Sequence, residues 1–399
     1  MSDEDVRTQV AIIGAGPGGL LLAHLLHRQG IDSVVVEARS RSYVEQRVRA
    51  GIIEQRVVAL LDRAGVAGRL RRECSIQDRF DIRVEGETIG IPLRETTGEV
   101  NTLYPQQELV KDLIAARLQT GAPLWFDAAA VGISGLEVDD PVVTVDRRGR
   151  TRRVHADFVA GADGSHGPSR AAIQRHVRLF ERAYPSAWLG ILAEALPPSM
   201  IGTYCWHPAG FALHSNRGPH TTRQYLEVPV DADPLDWSDA RIWDELIVRS
   251  GASEGFRVEP GPILERTLVP LRASVVEPMS WRRMFLLGDA AHVFPPSGAK
   301  GLNVAVGDAC VLARALGAWF GGGHRDLLDE YSDTCLTRAW QAQRYAHRLT
   351  TLLHRLDGDE FQTRVQRAEL ARLASDATAR SDLARSSTSA AHIPAACEW

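Results

Sequence analysis

Gly14-Ala15-Gly16-Pro17-Gly18-Gly19 follows the short apolar run QVAII at 9–13 and opens the amphipathic LLLAHLLHRQG that ends at Gly30; Glu37 closes the next apolar run, SVVVEAR. Strand, glycine turn, helix and second strand make a βαβ opening with the right-handed parallel crossover that α/β folds require. The glycines permit a tight turn and close approach of the backbone to a pyrophosphate at the helix N-terminus, and Glu37 can accept hydrogen bonds from ribose hydroxyls. Alone, a GxGxxG is no more than a glycine-rich turn. With its strand, helix and acid in place it is the full fingerprint of dinucleotide binding.

Two further segments carry turn acids behind apolar strands. Phe158 to His166, continuing to Ser169 and Arg170, ends in an Asp163-Gly164 turn. Met284 to His292 breaks at Gly288-Asp289 and runs through Pro295-Pro296-Ser297-Gly298-Ala299-Lys300-Gly301-Leu302-Asn303 into a helix. Either turn by itself is ordinary. A third constellation lies in a candidate hairpin: Ser215 and Arg217 are two apart, as are Arg223 and Tyr225 after the turn GPHTT, so each pair shares a face of its strand. A guanidinium fork offers two parallel donors to a carboxylate, which makes Arg217 the first candidate to hold a carboxylate ligand, with Ser215, Asn216 and Tyr225 beside it. The plain reading of such arginines is a solvated hairpin charge.

The elements that must position these residues follow from changes of hydrophobic period. Residues 1–178 read as a Rossmann-like nucleotide-binding domain, with a return segment at 271–303. Residues 179–270, with alternating stretches such as GFALHSNR and RQYLEVPV, read as an antiparallel-sheet domain for substrate. Residues 304–399 read as a helical region. The fold class is α/β with an α+β mixture.

The 46 basic and 50 acidic residues nearly cancel, which argues against a nucleic-acid partner and for a small molecule. Cys74, Cys205, Cys310, Cys335 and Cys397 are scattered without CxxC spacing, so neither a disulfide framework nor a metal site is expected, and a reducing cytoplasm fits. The opening MSDEDVRTQ lacks the pattern of a signal peptide, and no apolar run approaches the ~18 residues of a membrane span. The expectation is a cytoplasmic protein without membrane attachment.

The order and spacing of these motifs resemble the flavoprotein aromatic hydroxylases, from about Val10 to Glu369. Beyond the fingerprint and the two turn acids, the likeness rests on Arg47-Val48-Arg49-Ala50-Gly51-Ile52-Ile53-Glu54-Gln55, on Tyr184-Pro185 with Trp188-Leu189-Gly190, on His207-Pro208 with Gly210-Phe211-Ala212-Leu213, and on the Pro-Pro-Ser-Gly-Ala-Lys-Gly-Leu-Asn loop. With one complete GxGxxG, FAD takes that site and the nicotinamide must bind elsewhere and briefly. The resemblance implies a single-component monooxygenase with non-covalent FAD, swinging outward to be reduced by NAD(P)H and inward to form a C4a-hydroperoxide beside the substrate. The implied reaction is hydroxylation of 4-hydroxybenzoate at its 3 position with O₂; a homodimer is compatible with it.

Residue by residue, the resemblance gives FAD contacts to Gly14, Gly16, Gly18, Gly19 and Glu37, to the stretch Arg47, Val48, Arg49, Ala50, Gly51 and Ile52, and to Gln106 and Asp163. Asp289, Leu302 and Asn303 hold the ring system and its ribityl chain. Tyr204 contacts the substrate's 4-hydroxyl, Pro296 contributes to the substrate side, and Arg223 stands near the reduced flavin; these three are the catalytic candidates. Arg39, Arg41, Tyr43, Arg47, His166 and Arg272 form the nicotinamide region. Arg39 and Arg41 can meet a 2′-phosphate, which favours NADPH over NADH.

The family pattern breaks at two places. Its phenol proton leaves through two tyrosines to a histidine, and here the histidine position reads Gln77, which does not titrate near neutral pH, while the second tyrosine position reads Ala390. Either 4-hydroxybenzoate is still used, with water or a group such as His392 in the relay, or the substrate is a 3-substituted 4-hydroxybenzoate or 4-aminobenzoate. A reductase that inserts no oxygen and a non-enzymatic flavin-binding regulator are the readings from other classes.

Overall fold

The computed structural model of the chain describes residues 5–47, 49, 51–218, 220–251, 253, 255–356 and 359–388. Strand Asp5–Ile13 lies between Arg150–Gly161 and Ser33–Val36 and is parallel to both. Met284–Leu286 extends this sheet beyond Arg150–Gly161, and Leu124–Trp125 extends it beyond Ser33–Val36, again in parallel. Ser33–Val36 is buried along its whole length, as a parallel strand covered on both faces must be. Ser280–Trp281 pairs antiparallel with Met284–Leu286, and an antiparallel flank, Val142–Arg147 with Ala128–Ser134, completes the eight strands.

Helix Gly301–Gly322 packs against the fingerprint helix Pro17–Arg28 at the core of this half. By length and composition it passes the test for a membrane span, with a mean hydropathy of 1.4 over its most apolar window. That departs from the expectation that no run approaches such a length. Leu302 to Leu316 are buried almost without a break, and Asp308 within that stretch is fully enclosed. A helix apolar on all sides is what a large soluble core also demands, and here protein covers it.

A second eight-stranded sheet runs in the order His292–Val293, Ile263–Glu277, Arg178–Ala193, Thr222–Pro229, Ala212–Asn216, Thr203–Trp206, Arg79–Val84, Glu87–Pro92. One face carries Tyr184, Trp188, Tyr204, Trp206 and Leu213 and packs under Tyr345, Leu349 and Leu353 of helix Tyr331–Leu353 and under Leu370 and Leu383 of the last two helices. The opposite face carries Ala187, Leu189, Cys205, Ala212 and Leu226 and packs on Ile242, Trp243 and Leu246 of helix Asp239–Ser250. Period-two alternation thus places one set of side chains toward the C-terminal helices and the other away from them.

The sequence borders and the sheets do not coincide. Residues 79–92, inside the expected nucleotide domain, pair into the second sheet, because Arg79–Val84 adds in parallel to Thr203–Trp206. Ile263–Glu277 is one unbroken strand across the expected border at 270. A third small sheet, Ile52–Glu54, Asn101–Leu103 and Ser75–Gln77, lies outside both.

Candidate active site

The nucleotide cradle is built from backbone. Gly14 has φ of +108°, and a Cβ there would stand 2.3 Å from the Ala162 carbonyl oxygen, where the ends of two parallel strands meet. A Cβ on Gly19 would stand 2.2 Å from the Gly14 oxygen, so that glycine lets the helix close on the turn. Gly16 is different: nothing lies within 4 Å of its missing side chain. It caps helix Pro17–Arg28 without any side-chain bond to the helix N–H groups. Helix Gly301–Gly322 also starts without a side-chain cap, and a Cβ on Gly18 would be 3.4 Å from the Ala305 oxygen. Two helix starts with open N–H groups therefore adjoin, the arrangement an anionic pyrophosphate and an electron-rich ring require.

The polar side chains assigned to this cradle are turned largely onto the protein itself. Glu37 accepts from Ala15 N at 2.8 Å and from Arg39 N at 2.8 Å, holding the fingerprint turn. Asn303 accepts from Glu54 N at 2.9 Å and donates to the Ile52 and Ala299 carbonyls at 3.0 and 3.1 Å. Its side chain is spent on tying strand Ile52–Glu54 to the helix; what it and Leu302 can offer a ring is backbone N–H. Asp163 accepts from Ser169 N at 2.9 Å beneath the Gly14 turn, burial raises its pKa, and its Oδ1 has no partner. Arg49 reaches Asp289 at 3.4 Å, joining two segments assigned to the same cofactor. Gly51 is fixed by contact, since a Cβ would sit 2.1 Å from the Tyr104 oxygen, and Gln106 begins the helix that follows two residues later. Val48 and Ala50 lie outside the described residues, as do Ala390 and His392. These features fit FAD: an open glycine turn, uncapped helix starts and a facing arginine–aspartate pair.

The nicotinamide candidates fall into two groups. Arg39 and Arg47 both lie over the Tyr43 ring, at 5.3 and 6.0 Å, while Arg41 is held by Glu45 at 2.7 Å. His166 and Arg272 converge on the Ser165 hydroxyl, at 3.1 and 2.6 Å.

On the second sheet the register gathers the substrate candidates. Tyr204 stands opposite Leu213, Leu213 opposite Tyr225, and Ser215 opposite Arg223, so all share the face toward the C-terminal helices. Arg217 follows two residues on, its backbone N–H bonded to the Thr221 carbonyl at 3.0 Å. Its Nε is buried without a partner, and burial, then the neighbouring Arg223, works to lower its pKa against the opposing influence of Tyr225. Asn216 points the other way, donating to Met200 Sδ at 3.3 Å, and so is not brought together with this set. Arg223 is buried and committed, to Glu265 at 3.3 Å and Thr267 at 2.5 Å. Gly190 makes room for it: a Cβ there would stand 2.9 Å from Arg223 Nη2 and 3.2 Å from the Tyr225 ring. The Tyr204 hydroxyl donates to the Ser297 carbonyl at 3.1 Å, on the short turn Pro296–Gly298, and burial pushes its pKa well up.

Sequence reasoning passed over several buried groups here. Lys300 pairs with Glu54 at 2.7 Å although 246 residues separate them. Both stand inside quoted motifs, but nothing local signals that they meet. Tyr345 joins them from helix Tyr331–Leu353. Gln77, by contrast, stands out in the sequence as a break in the family pattern; it is buried and donates to the Met200 carbonyl at 3.1 Å.

Comparison with known proteins agrees with this geometry. The FAD binding domain family model matches residues 7–346. The p-hydroxybenzoate hydroxylase of Acinetobacter baylyi is 39% identical over 384 residues, which cover 96% of this chain and 95% of that one. The 6-methylpretetramide 4-monooxygenase of Streptomyces rimosus is 28% identical over 88% of this chain and 85% of its own. Among solved structures, the p-nitrophenol 4-monooxygenase of Pseudomonas putida superposes with a TM-score of 0.82 at 20% identity, covering 96% of this chain and 99% of that one, which shows the shared fold. The chain belongs to the FAD-binding flavoprotein aromatic hydroxylases and is a flavin-dependent aromatic monooxygenase homologous to p-hydroxybenzoate hydroxylase.

Proposed function

We propose that the protein hydroxylates 4-hydroxybenzoate at its 3 position, taking electrons from NADPH and oxygen from O₂, with FAD held non-covalently. The observation that carries this reading is Arg217: its buried Nε has no partner, and no carboxylate pairs with it among the described residues. A half-buried guanidinium with no carboxylate beside it is costly, and an anionic ligand relieves the cost. Ser215 and Tyr225 flank that cation on one face, and the Tyr204 hydroxyl lies further along the same face. A para-substituted benzoate carries its anion and its polar group at opposite ends and matches this arrangement.

FAD, when bound, supplies the reduced ring that activates oxygen. Arg217 binds and orients the carboxylate through its fork. Tyr204, now bonded to the Ser297 carbonyl, takes the 4-hydroxyl as partner and draws its proton, which moves electron density to the ortho carbon. Arg223, fixed by Glu265 and Thr267, adds positive charge on the same face. Helix Tyr331–Leu353 and the last helices roof that face and exclude water.

The test is a panel of para- and meta-substituted benzoates scored for stimulated NADPH oxidation and for product by mass spectrometry under labelled O₂. The expected product is 3,4-dihydroxybenzoate with one labelled oxygen. Oxidation without oxygen incorporation for every member of the panel would overturn the benzoate reading. Gln77 favours a second reading: a buried amide cannot exchange protons, so 4-aminobenzoate or a 3-substituted 4-hydroxybenzoate remains the rival within the same panel.

A further inference from the structure

Two arginines neighbour each other on the substrate face, and the sheet treats them differently. Arg223 stands opposite Leu192 of strand Arg178–Ala193, and Glu265 stands opposite the same Leu192 on that strand's other side. Two strand spacings, roughly 9.5 Å, separate their backbones, so the two side chains meet only by reaching over the middle strand. Gly190 opens the way: a Cβ there would stand 2.9 Å from Arg223 Nη2 and 2.8 Å from Thr267 Oγ1. Across this gap Arg223 Nη1 donates to Glu265 Oε1 at 3.3 Å and Nη2 to Thr267 Oγ1 at 2.5 Å. The Arg223 side chain is 5% exposed, whereas Glu265, at 37%, keeps contact with solvent.

Arg217 has no such tether. Its Nε is unsatisfied, no carboxylate pairs with it among the described residues, and the charge of Arg223 opposes its own. Ser215 stands opposite Arg223 and two residues before Arg217, so one serine lies beside both arginines in the register. Two cations and one carboxylate leave this part of the face with a single net positive charge.

We propose that Glu265 is a specificity-determining residue of the substrate site: by drawing Arg223 across Gly190 and offsetting its charge, it leaves Arg217 as the cation open to a ligand and restricts the site to monocarboxylates. This rests on the reading of the face as a benzoate site. A ring with two carboxylates would bring two negative charges to one net positive charge. Its second carboxylate must then either break the Arg223–Glu265 pair or be enclosed without a partner, and both are costly.

The division of labour around Arg223 makes the role separable from folding. Thr267 and the space at Gly190 fix where the guanidinium lies, while Glu265 supplies the opposing charge from a position in contact with water. Removing that charge leaves Arg223 its bond to Thr267 and gives the face a second net positive charge, which suits a dianion. Glu265 is a positioning residue that acts on the ligand through Arg223.

The holoenzyme tests this through flavin fluorescence titrations with 4-hydroxybenzoate and with 4-hydroxyphthalate, whose two carboxylates sit on adjacent ring carbons. The wild-type protein should favour the monocarboxylate. In Glu265→Gln, and in Glu265→Met as a second neutral variant, the ratio of the two dissociation constants should move about tenfold toward the dicarboxylate, the order expected for one added charge near the ligand. That shift should shrink at high salt, and FAD content should stay near wild type. Glu265→Asp, which keeps the charge, should hold the wild-type ratio. An unmoved ratio in the neutral variants overturns the proposal, and so does an equal weakening of both ligands, which marks a merely structural pair. Failure of the wild-type protein to bind 4-hydroxybenzoate overturns the benzoate reading and this inference with it, whereas tight binding with an unmoved ratio overturns the role of Glu265 alone.

Discussion

The nucleotide cradle and the substrate face handle polarity in opposite ways. In the cradle, Glu37, Asn303 and Asp163 spend their side chains on the protein's own backbone, and what faces outward is an open glycine and two uncapped helix starts. On the substrate face the backbone is consumed by strand pairing, and unsatisfied atoms belong to side chains, Arg217 Nε and Arg223 Nε. Nucleotide recognition here follows from the path of the chain, and substrate recognition from a few side chains on a rigid sheet. The first should yield to changes in backbone freedom and the second to truncation.

The largest effect should come from Gly14→Val. The added carbons meet the Ala162 carbonyl at a φ that valine cannot hold, so both folded yield and bound FAD should collapse. Gly16→Val, whose side chain enters open space, should fold with a normal circular dichroism spectrum yet lose FAD. Equal FAD-to-protein ratios in the two purified variants would erase the distinction between a glycine the protein needs and one the ligand needs.

On the substrate face, Arg217→Ala should weaken benzoate binding by ~2–4 kcal/mol, the range for removing one member of a buried charged pair, with FAD content unchanged. Arg217→Lys should restore only part, because an ammonium lacks the fork. Tyr204→Phe should leave binding in place but release peroxide in place of product during NADPH oxidation. Titration by flavin fluorescence and a coupled peroxide assay separate the two. Tight binding by Arg217→Ala would mean that the face holds its ligand in another way.

The same contrast explains what was legible in the sequence. The fingerprint is local, so six consecutive residues, a flanking helix and one acid announce the cradle. The hairpin set was legible by period two, which put Ser215, Arg217, Arg223 and Tyr225 on one face; the same rule turns Asn216 away. Arg79–Val84 escaped because nothing in a strand names its partner, and parallel addition to Thr203–Trp206 is a long-range event. Glu54, Lys300 and Tyr345 escaped for the same reason: three unremarkable positions become a cluster only when helix Tyr331–Leu353 docks. Core helix Gly301–Gly322 shows the converse, since composition alone does not tell a core helix from a spanning one.

The two faces of the second sheet can be compared by pH. His214, on the face away from the substrate, is buried against Ser250 Oγ at 2.6 Å, its Nδ1 has no partner, and burial lowers its pKa to about 4, with Gln224 opposing and Arg83 assisting. The unfolded chain, near 6.5, therefore binds the proton first, so the stability this neutral ring contributes is present above pH ~6.5 and lost as pH falls toward 4. Between pH 7.5 and 5 the loss amounts to about 2 kcal/mol. The difference in urea midpoints between wild type and His214→Gln should show it as a pH-dependent gap that closes at low pH. A gap independent of pH would mean that the ring is not buried neutral.

The smallest effect should appear where both regions give way to the surface. Arg39 and Arg41 are exposed and two residues apart, yet Arg41 is engaged by Glu45 one helical turn on, whereas Arg39 lies over the Tyr43 ring with Arg47 on the same ring. A 2′-phosphate would have to displace Glu45 to use Arg41, and Arg39 needs no such exchange. Exposed charge pairs contribute ~0.2–1 kcal/mol. Arg39→Ala should therefore raise KM for NADPH about two- to fivefold while leaving KM for NADH alone, and Arg41→Ala should change either by less than about twofold. Steady-state kinetics with both cofactors at low and high salt measure this, and the Arg39 effect should shrink as salt screens it. A larger effect at Arg41 would mean that Glu45 releases it when the nicotinamide docks, and a loss of NADH activity at Arg39 would tie that residue to the shared part of the cofactor rather than to its 2′-phosphate.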